Sequence, residues 1–254
     1  MNENENLRSP TISRRKFLWL AAVGLLAACR PSPQPTDAAE KPAAAEPTRA
    51  PTATPPPPTQ APDPTEEPES AGDLPAILER LHWLGHASFR LDGPPTVYFD
   101  PTSLRSDAPP ADVILVSHDH NDHMSPHAIG SISGPETVII TTQRVAEQIE
   151  AAETVYAELR VAQPGERMTV GEIEIETVPA YNIEKPYHPK ESGHMGFVVT
   201  QQGEQLYFAG DTERIPEMAD IDCDVALLPV GGTYTMDIEE AAQAAADIGP
   251  KAVV

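Results

Sequence analysis

The sequence predicts layers of strands and helices, of the α/β or α+β class, and three observations carry that expectation. Residues 30–72 hold 13 prolines and no Val, Ile, Leu, Met, Phe, Trp or Tyr, so nothing there can offset the entropy of folding. Beyond them, short apolar or alternating runs of strand length follow one another at hairpin spacing. Further strands then mix with two segments of helical length. In chain order, strands are expected near Arg80–Trp83, Ser88–Leu91, Thr96–Phe99, Val113–Ser117 and Thr137–Thr141. A second series is expected near Glu172–Val178, Gly196–Thr200, Gln205–Ala209 and Val225–Pro229. Helices fit Gln143–Ala152 and Asp237–Ile248. The second helix carries its own punctuation, with Asp237 and Glu240 at capping-box spacing and a stop at Gly249-Pro250. Lys251–Val254 begins another strand.

The 254 residues divide into a leader (1–29), a tether (30–72) and 182 residues (73–254) that suffice for one well-buried domain. Lys and Arg number 17 against 39 Asp and Glu, a formal charge of −22. A field of that sign repels phosphate backbones, so nucleic acid is excluded as a partner. Two cysteines, Cys29 and Cys223, exclude a disulfide scaffold. Ser13-Arg14-Arg15-Lys16-Phe17-Leu18 is a twin-arginine motif, and Phe17 to Ala28 is an uncharged apolar run. Twelve helical residues reach about 18 Å, short of a hydrocarbon core of about 30 Å, so the run reads as a signal segment. Leu26-Ala27-Ala28-Cys29 resembles the lipobox of bacterial lipoproteins. The likeness implies cleavage before Cys29, diacylation of its thiol and an extracytoplasmic protein anchored to a bacterial membrane. The Pro-rich tether, extended in part as polyproline II, would hold the domain clear of that membrane.

The chemistry is concentrated after one strand. Val113–Ser117 reads as buried, and His118-Asp119-His120-Asn121-Asp122-His123 follows at its C-terminal end, where layered α/β proteins place their sites. Three imidazoles and a carboxylate within six residues suit Zn²⁺ and neighbouring metals. In an extended turn His118 and His120 project to one side and can share an ion, while Asp122 and His123 can turn toward a second.

This hexapeptide is the His-x-His-x-Asp-His signature of the metallo-β-lactamase superfamily. Trp83-Leu84-Gly85-His86-Ala87-Ser88-Phe89, Phe99-Asp100-Pro101, Ala209-Gly210-Asp211-Thr212 and Val230-Gly231-Gly232-Thr233-Tyr234-Thr235-Met236-Asp237 follow in the superfamily's order. Together they resemble the branch of metal-dependent hydrolases related to L-ascorbate-6-phosphate lactonase, over about residues 79–254. The resemblance implies an αβ/βα four-layer sandwich. It implies His118 and His120 on a first metal, Asp122 and His123 on a second, and Asp211 bridging the two. Asp100 resembles the aspartate that orients a ligating imidazole, and His86 lies in a loop that faces the site, as a substrate or supporting contact. Ala180-Tyr181-Asn182 stands where the third histidine of the first metal is usual; with the later His188-Pro189-Lys190 it resembles a sub-branch of the same hydrolases. That likeness implies His188 in that role, His194 as the alternative, and Asn182 and His194 as substrate or supporting contacts.

The implied reaction is hydrolysis of a small-molecule lactone, ester, amide or phosphodiester by a hydroxide held between two zinc ions, with manganese or iron as alternatives and Asp122 orienting the nucleophile or passing on a proton. In the family a further histidine follows the strand that Lys251–Val254 begins, and no residue here matches it. The expectation from that mismatch is a C-terminally truncated chain whose second half-layer is incomplete, which binds close to one metal tightly and turns over poorly. A metal-binding lipoprotein or inactive fragment without turnover is the alternative. No pattern in the sequence specifies an oligomer.

Overall fold

The computed structural model describes residues 74–254. The signal segment, Cys29 and the tether lie outside the described residues. The chain forms two six-stranded sheets. The first comprises β1 (Leu81–Gly85), β2 (Ser88–Leu91), β3 (Val97–Phe99), β4 (Val113–Val116), β5 (Val138–Thr141) and β6 (Glu158–Val161), in that order. The second comprises β7 (Arg167–Val170), β8 (Ile173–Pro179), β9 (Met195–Gln201), β10 (Glu204–Phe208), β11 (Val225–Leu227) and β12 (Ala252–Val253), again in sequence order. Each sheet is antiparallel on one side and parallel on the other: β3 to β6 run parallel, as do β10 to β12.

Among the described residues four helices complete the fold: α1 (Ile77–Arg80), α2 (Pro126–Ile132), α3 (Gln143–Ala151) and α4 (Ile238–Ile248). Three apolar clusters define the layers. Leu91, Phe99 and Leu115 of the first sheet pack against Ile175, Phe197 and Phe208 of the second. The outer face of the first sheet, with Ile114, Val116 and Ile139, is covered by Ile129 and Ile132 of α2 and Val145 and Ile149 of α3. The outer face of the second sheet, with Val198, Tyr207 and Ala226, meets Ala241 and Ala244 of α4 and Met218 of a 3-10 turn over Pro216–Asp220. Helix, sheet, sheet, helix is the four-layer order expected. β4 is buried at every position, as a strand covered on both faces must be. Among the described residues no helix is long and apolar enough to cross a membrane.

The differences from the sequence expectation are local. Arg80 ends α1 instead of opening a strand, which moves β1 to Leu81–Gly85. The helix α2 and the strands β6 and β7 are additional elements. The capping box at Asp237 forms as read, with Asp237 accepting from the Glu240 amide at 2.9 Å, and Gly249 ends the helix at φ +68°. In the second sheet, β12 pairs parallel with β11 through Ala252 and Val253.

Candidate metal centre

The site collects at the C-terminal ends of β3, β4, β8 and β10, on the rim where the two sheets meet. Several of its groups sit on left-handed backbone. Asp100 follows β3 at φ +42°, His86 sits between β1 and β2 at φ +47°, and His188 lies in the loop after β8 at φ +52°. Left-handed backbone at non-glycine residues costs free energy, and three of the five such residues described are here. Gly210 turns the chain at φ +66° just before Asp211, with the Ser117 side chain and the Met195 carbonyl close enough to crowd a Cβ.

Asp100 organises the base of the site. It is fully buried and accepts from the Ser117 amide at 2.7 Å, the Ser117 hydroxyl at 2.5 Å and His123 Nδ1 at 2.7 Å. The Ser117 hydroxyl, its proton given to Asp100, accepts in turn from His118 Nδ1 at 2.8 Å. His188 Nδ1 donates to the Tyr234 carbonyl at 3.2 Å. His118 and His188 therefore keep the proton on Nδ1 and turn a bare Nε2 inward, the state in which imidazole ligates a metal, and the bond to Asp100 fixes the His123 ring with its Nε2 directed inward.

The inward atoms converge. Ligand atoms of His118, His120, His188 and Asp211 all lie within 4.8 Å of one another. His118 Nε2 is 3.1 Å and His188 Nε2 3.2 Å from His120 Nδ1, and His188 Nε2 is 3.4 Å from Asp211 Oδ2. Two donors about 2.0–2.1 Å from a tetrahedral ion are about 3.3 Å apart, so these three spacings suit neighbouring ligands of one ion. The other Asp211 oxygen, Oδ1, lies 3.2 Å from His123 Nε2, so one carboxylate faces both clusters. That His123 nitrogen is buried with no hydrogen-bond partner, an orphan that costs about 1–3 kcal/mol unless a cation or water meets it. His86 Nε2 lies 3.2 Å from Asp122 Oδ2, and His86, Asp122 and His123 form a second, more exposed grouping. The donor set fits a metal.

Electrostatics agree with that fit. Burial and the neighbouring imidazoles push His118 far below the usual histidine range, and burial lowers His188. In the metal-free protein burial also works against a charged His123, but the hydrogen bond to Asp100 and the attraction of both Asp100 and Asp211 outweigh it and hold that ring up to about 10. Burial raises the Asp100 carboxyl against the pull of His123 and Ser117. Asp211 is lowered: burial opposes ionisation, and His123, His188 and His120 together overcome it.

The sequence-selected residues thus divide. His118, His120, His188 and Asp211 come together, with Asp100 behind them, while Asp122 pairs with His86 at the exposed rim. His194 stacks on His118 with ring centroids 4.7 Å apart but is absent from the converging set; its Nδ1 is buried without a partner. Asn182 Nδ2 donates to the Tyr234 carbonyl at 2.8 Å, beside His188 instead of in the cluster. Ser117, Tyr234 and Glu213 were not singled out by sequence. Glu213 is buried and accepts from the Ile183 and Glu184 amides at 2.6 and 2.8 Å, fixing the loop that carries His188. A cavity of about 660 Å³ along the outer face of β7–β9 gathers no cluster of ligand atoms, so the chemistry belongs at the histidines.

Comparison with known proteins agrees with this geometry. Residues 80–254 match the beta-lactamase superfamily domain. The chain is 31% identical over 191 residues to a UPF0173 metal-dependent hydrolase of Pyrococcus abyssi, covering 69% of this chain and 82% of that one. It is 35% identical over 187 residues to a UPF0173 metal-dependent hydrolase of Methanoculleus marisnigri, covering 69% and 79%. A crystal structure from Parabacteroides distasonis, described as a metal-dependent hydrolase, superposes with a TM-score of 0.62 at 33% identity over 68% of this chain and 79% of that one. A converging His/Asp cluster on a four-layer sandwich, with these relatives, places the chain in the beta-lactamase superfamily, within the UPF0173 metal-dependent hydrolase family.

Proposed function

We propose that the protein is a membrane-anchored, extracytoplasmic metallohydrolase acting on a small-molecule lactone, ester, amide or phosphodiester. The observation that carries the reading is the convergence of ligand atoms from His118, His120, His188 and Asp211 within 4.8 Å of one another. Zinc is the ion we propose there, and three nitrogens with a carboxylate also suit iron or manganese. When bound, the metal supplies Lewis-acid activation of water and of the substrate's carbonyl or phosphoryl oxygen. The chain's own residues do the rest. Asp100 and Ser117 fix the tautomers of His118 and His123, and the Tyr234 carbonyl fixes that of His188. Asp211 presents one oxygen to each grouping, which supports a second metal at His86, Asp122 and His123. Asp122, exposed and next to His86, is placed to take the proton that water loses as it adds to the substrate. Hydrolysis consumes one water: an ester gives an acid and an alcohol, an amide an acid and an amine, a lactone a single hydroxy acid, and a phosphodiester a phosphomonoester and an alcohol.

The relatives are named only as metal-dependent hydrolases, so the substrate class is our proposal and a lactone ranks equally with the other acyl and phosphoryl candidates. The test is turnover of a panel of p-nitrophenyl esters, lactones and bis-p-nitrophenyl phosphate by zinc-loaded protein. Hydrolysis abolished by a chelator and restored by metal supports the reading, and none in any metal form, with metal bound, favours a metal-binding lipoprotein without turnover. The anchor is proposed from the apolar run that ends at Leu26-Ala27-Ala28-Cys29. Cys29→Ser should move the protein out of the membrane fraction; unchanged retention counts against lipidation.

A further inference from the structure

Tyr187 and Tyr234 meet at the mouth of the site. Their rings pack edge to face with centroids 4.6 Å apart, yet the residues stay 43% and 54% exposed. Leaving two adjacent aromatic rings in water forgoes burial that the fold could otherwise use. The pair is built onto the metal cluster: Tyr187 precedes His188 in the chain, and the Tyr234 carbonyl accepts from both His188 and Asn182. Ile183, on the same loop, is also exposed. On the opposite flank Trp83 is exposed too, its indole N–H donating to the His86 carbonyl at 2.8 Å.

The basic side chains around this mouth are already engaged. Lys185 is held between Glu213 at 3.0 Å and Glu240 at 2.9 Å, and Lys190 pairs with Glu217 at 2.8 Å. Arg144 lies 3.6 Å from Asp119. The metal is reserved for the scissile group, so a carboxylate or phosphate elsewhere on a substrate, lying over the mouth, would have to break one of these pairs to gain a cation, within a chain that carries −22 overall. An apolar group would need only to cover the tyrosines.

We propose that Tyr187 and Tyr234 form an apolar lip that selects a neutral substrate bearing an aryl or alkyl group next to the scissile ester, lactone or amide, against phosphorylated or carboxylated ones. This rests on the hydrolase reading above, and the experiment separates the two. Wild type and a Tyr187→Ala/Tyr234→Ala variant are compared on p-nitrophenyl butyrate and on the matched hemisuccinate, which differs by one carboxylate. Truncating Tyr234 leaves its backbone carbonyl in place, so metal content should not change. The expected result is preference for the butyrate in the wild type, and in the variant a KM for butyrate raised about 10-fold with kcat little changed. Equal use of the two esters, or a variant KM that does not move, would overturn the lip.

If neither ester is hydrolysed by metal-loaded protein, the hydrolase reading fails and the lip is judged by binding. Saturation-transfer NMR with phenylacetamide and phenylphosphonate on metal-free protein provides that readout. Transfer to phenylacetamide that disappears in the double variant supports the lip. Transfer to phenylphosphonate alone, or transfer to neither probe, overturns it.

Discussion

The carboxylate of Asp100 holds His123 Nδ1 at 2.7 Å, and both side chains are shut away from solvent. The same carboxylate reaches His118 through the Ser117 hydroxyl, so one buried anion sets the orientation of two inward-facing imidazoles. Asn tolerates the left-handed backbone that Asp100 adopts, so Asp100→Asn removes the charge with little added strain. It should lower metal affinity about 10- to 100-fold, the usual consequence of losing a carboxylate behind a ligating histidine. Competition with a chromophoric chelator measures this, and an unchanged affinity would separate Asp100 from the site.

The metal-free protein should be most stable near pH 6.5 as far as His194 and His123 are concerned. Burial, with His188 and His120 nearby, lowers His194 to about 4. Between pH 6.5 and 4 the unfolded chain takes up a proton that the folded ring refuses, so stability falls as pH drops through that window. His123, held up to about 10, does the opposite: its contribution is complete below 6.5 and is lost as pH rises toward 10. Urea midpoints across this range, with chelator present, should pass through a maximum. A midpoint that climbs steadily to high pH would contradict the Asp100–His123–Asp211 arrangement.

Glu213 links the turn after Asp211 to the loop that carries His188. Glu213→Ala leaves the Ile183 and Glu184 amides without their acceptor and frees Lys185, and should cost about 3 kcal/mol together with weaker metal binding. Glu213→Gln keeps an acceptor oxygen and should recover most of both. Equal loss in the two variants would mean that the ion pair with Lys185, and not the amide clamp, holds the loop.

Gly196 in β9 sits where β10 passes closest. A Cβ there would lie 2.5 Å from the Phe208 carbonyl oxygen and 2.8 Å from that of Ala209. Gly196→Ala should therefore destabilise the fold by about 1–3 kcal/mol, read as a lower denaturant midpoint. Since Ala209 leads directly into Gly210 and Asp211, metal affinity should fall as well.

The parts of the fold legible in the sequence are those whose burial is one-sided or complete. The all-apolar Val113–Val116 stands out, as does a helix bounded by Asp237 and Gly249. Glu158–Val161 and Arg167–Val170 did not, because they are the edge strands of their sheets and carry charges among few apolar residues. The seven residues of α2 show only a Ser125 cap and Pro126, too short a span for periodicity to register. At the site, the hexapeptide gave His118, His120 and His123 by spacing alone. His188 rests on a resemblance, that of Ala180-Tyr181-Asn182 with the later His188-Pro189-Lys190, because a loop has no period; the fold adds the contact with the backbone carbonyl of Tyr234, which no side-chain pattern announces. Ser117 was hidden for a related reason, since a serine ending a buried strand looks ordinary until Asp100 is placed beneath it.

The most direct test of the central claim is the metal content of the wild type, His188→Ala and His194→Ala proteins by elemental analysis after dialysis against a weak chelator. The converging set contains His188 and excludes His194. The expected result is tightly held metal in the wild type and in His194→Ala, and loss of most of it in His188→Ala. Metal retained by His188→Ala but lost from His194→Ala would contradict the assignment of the metal to His118, His120, His188 and Asp211.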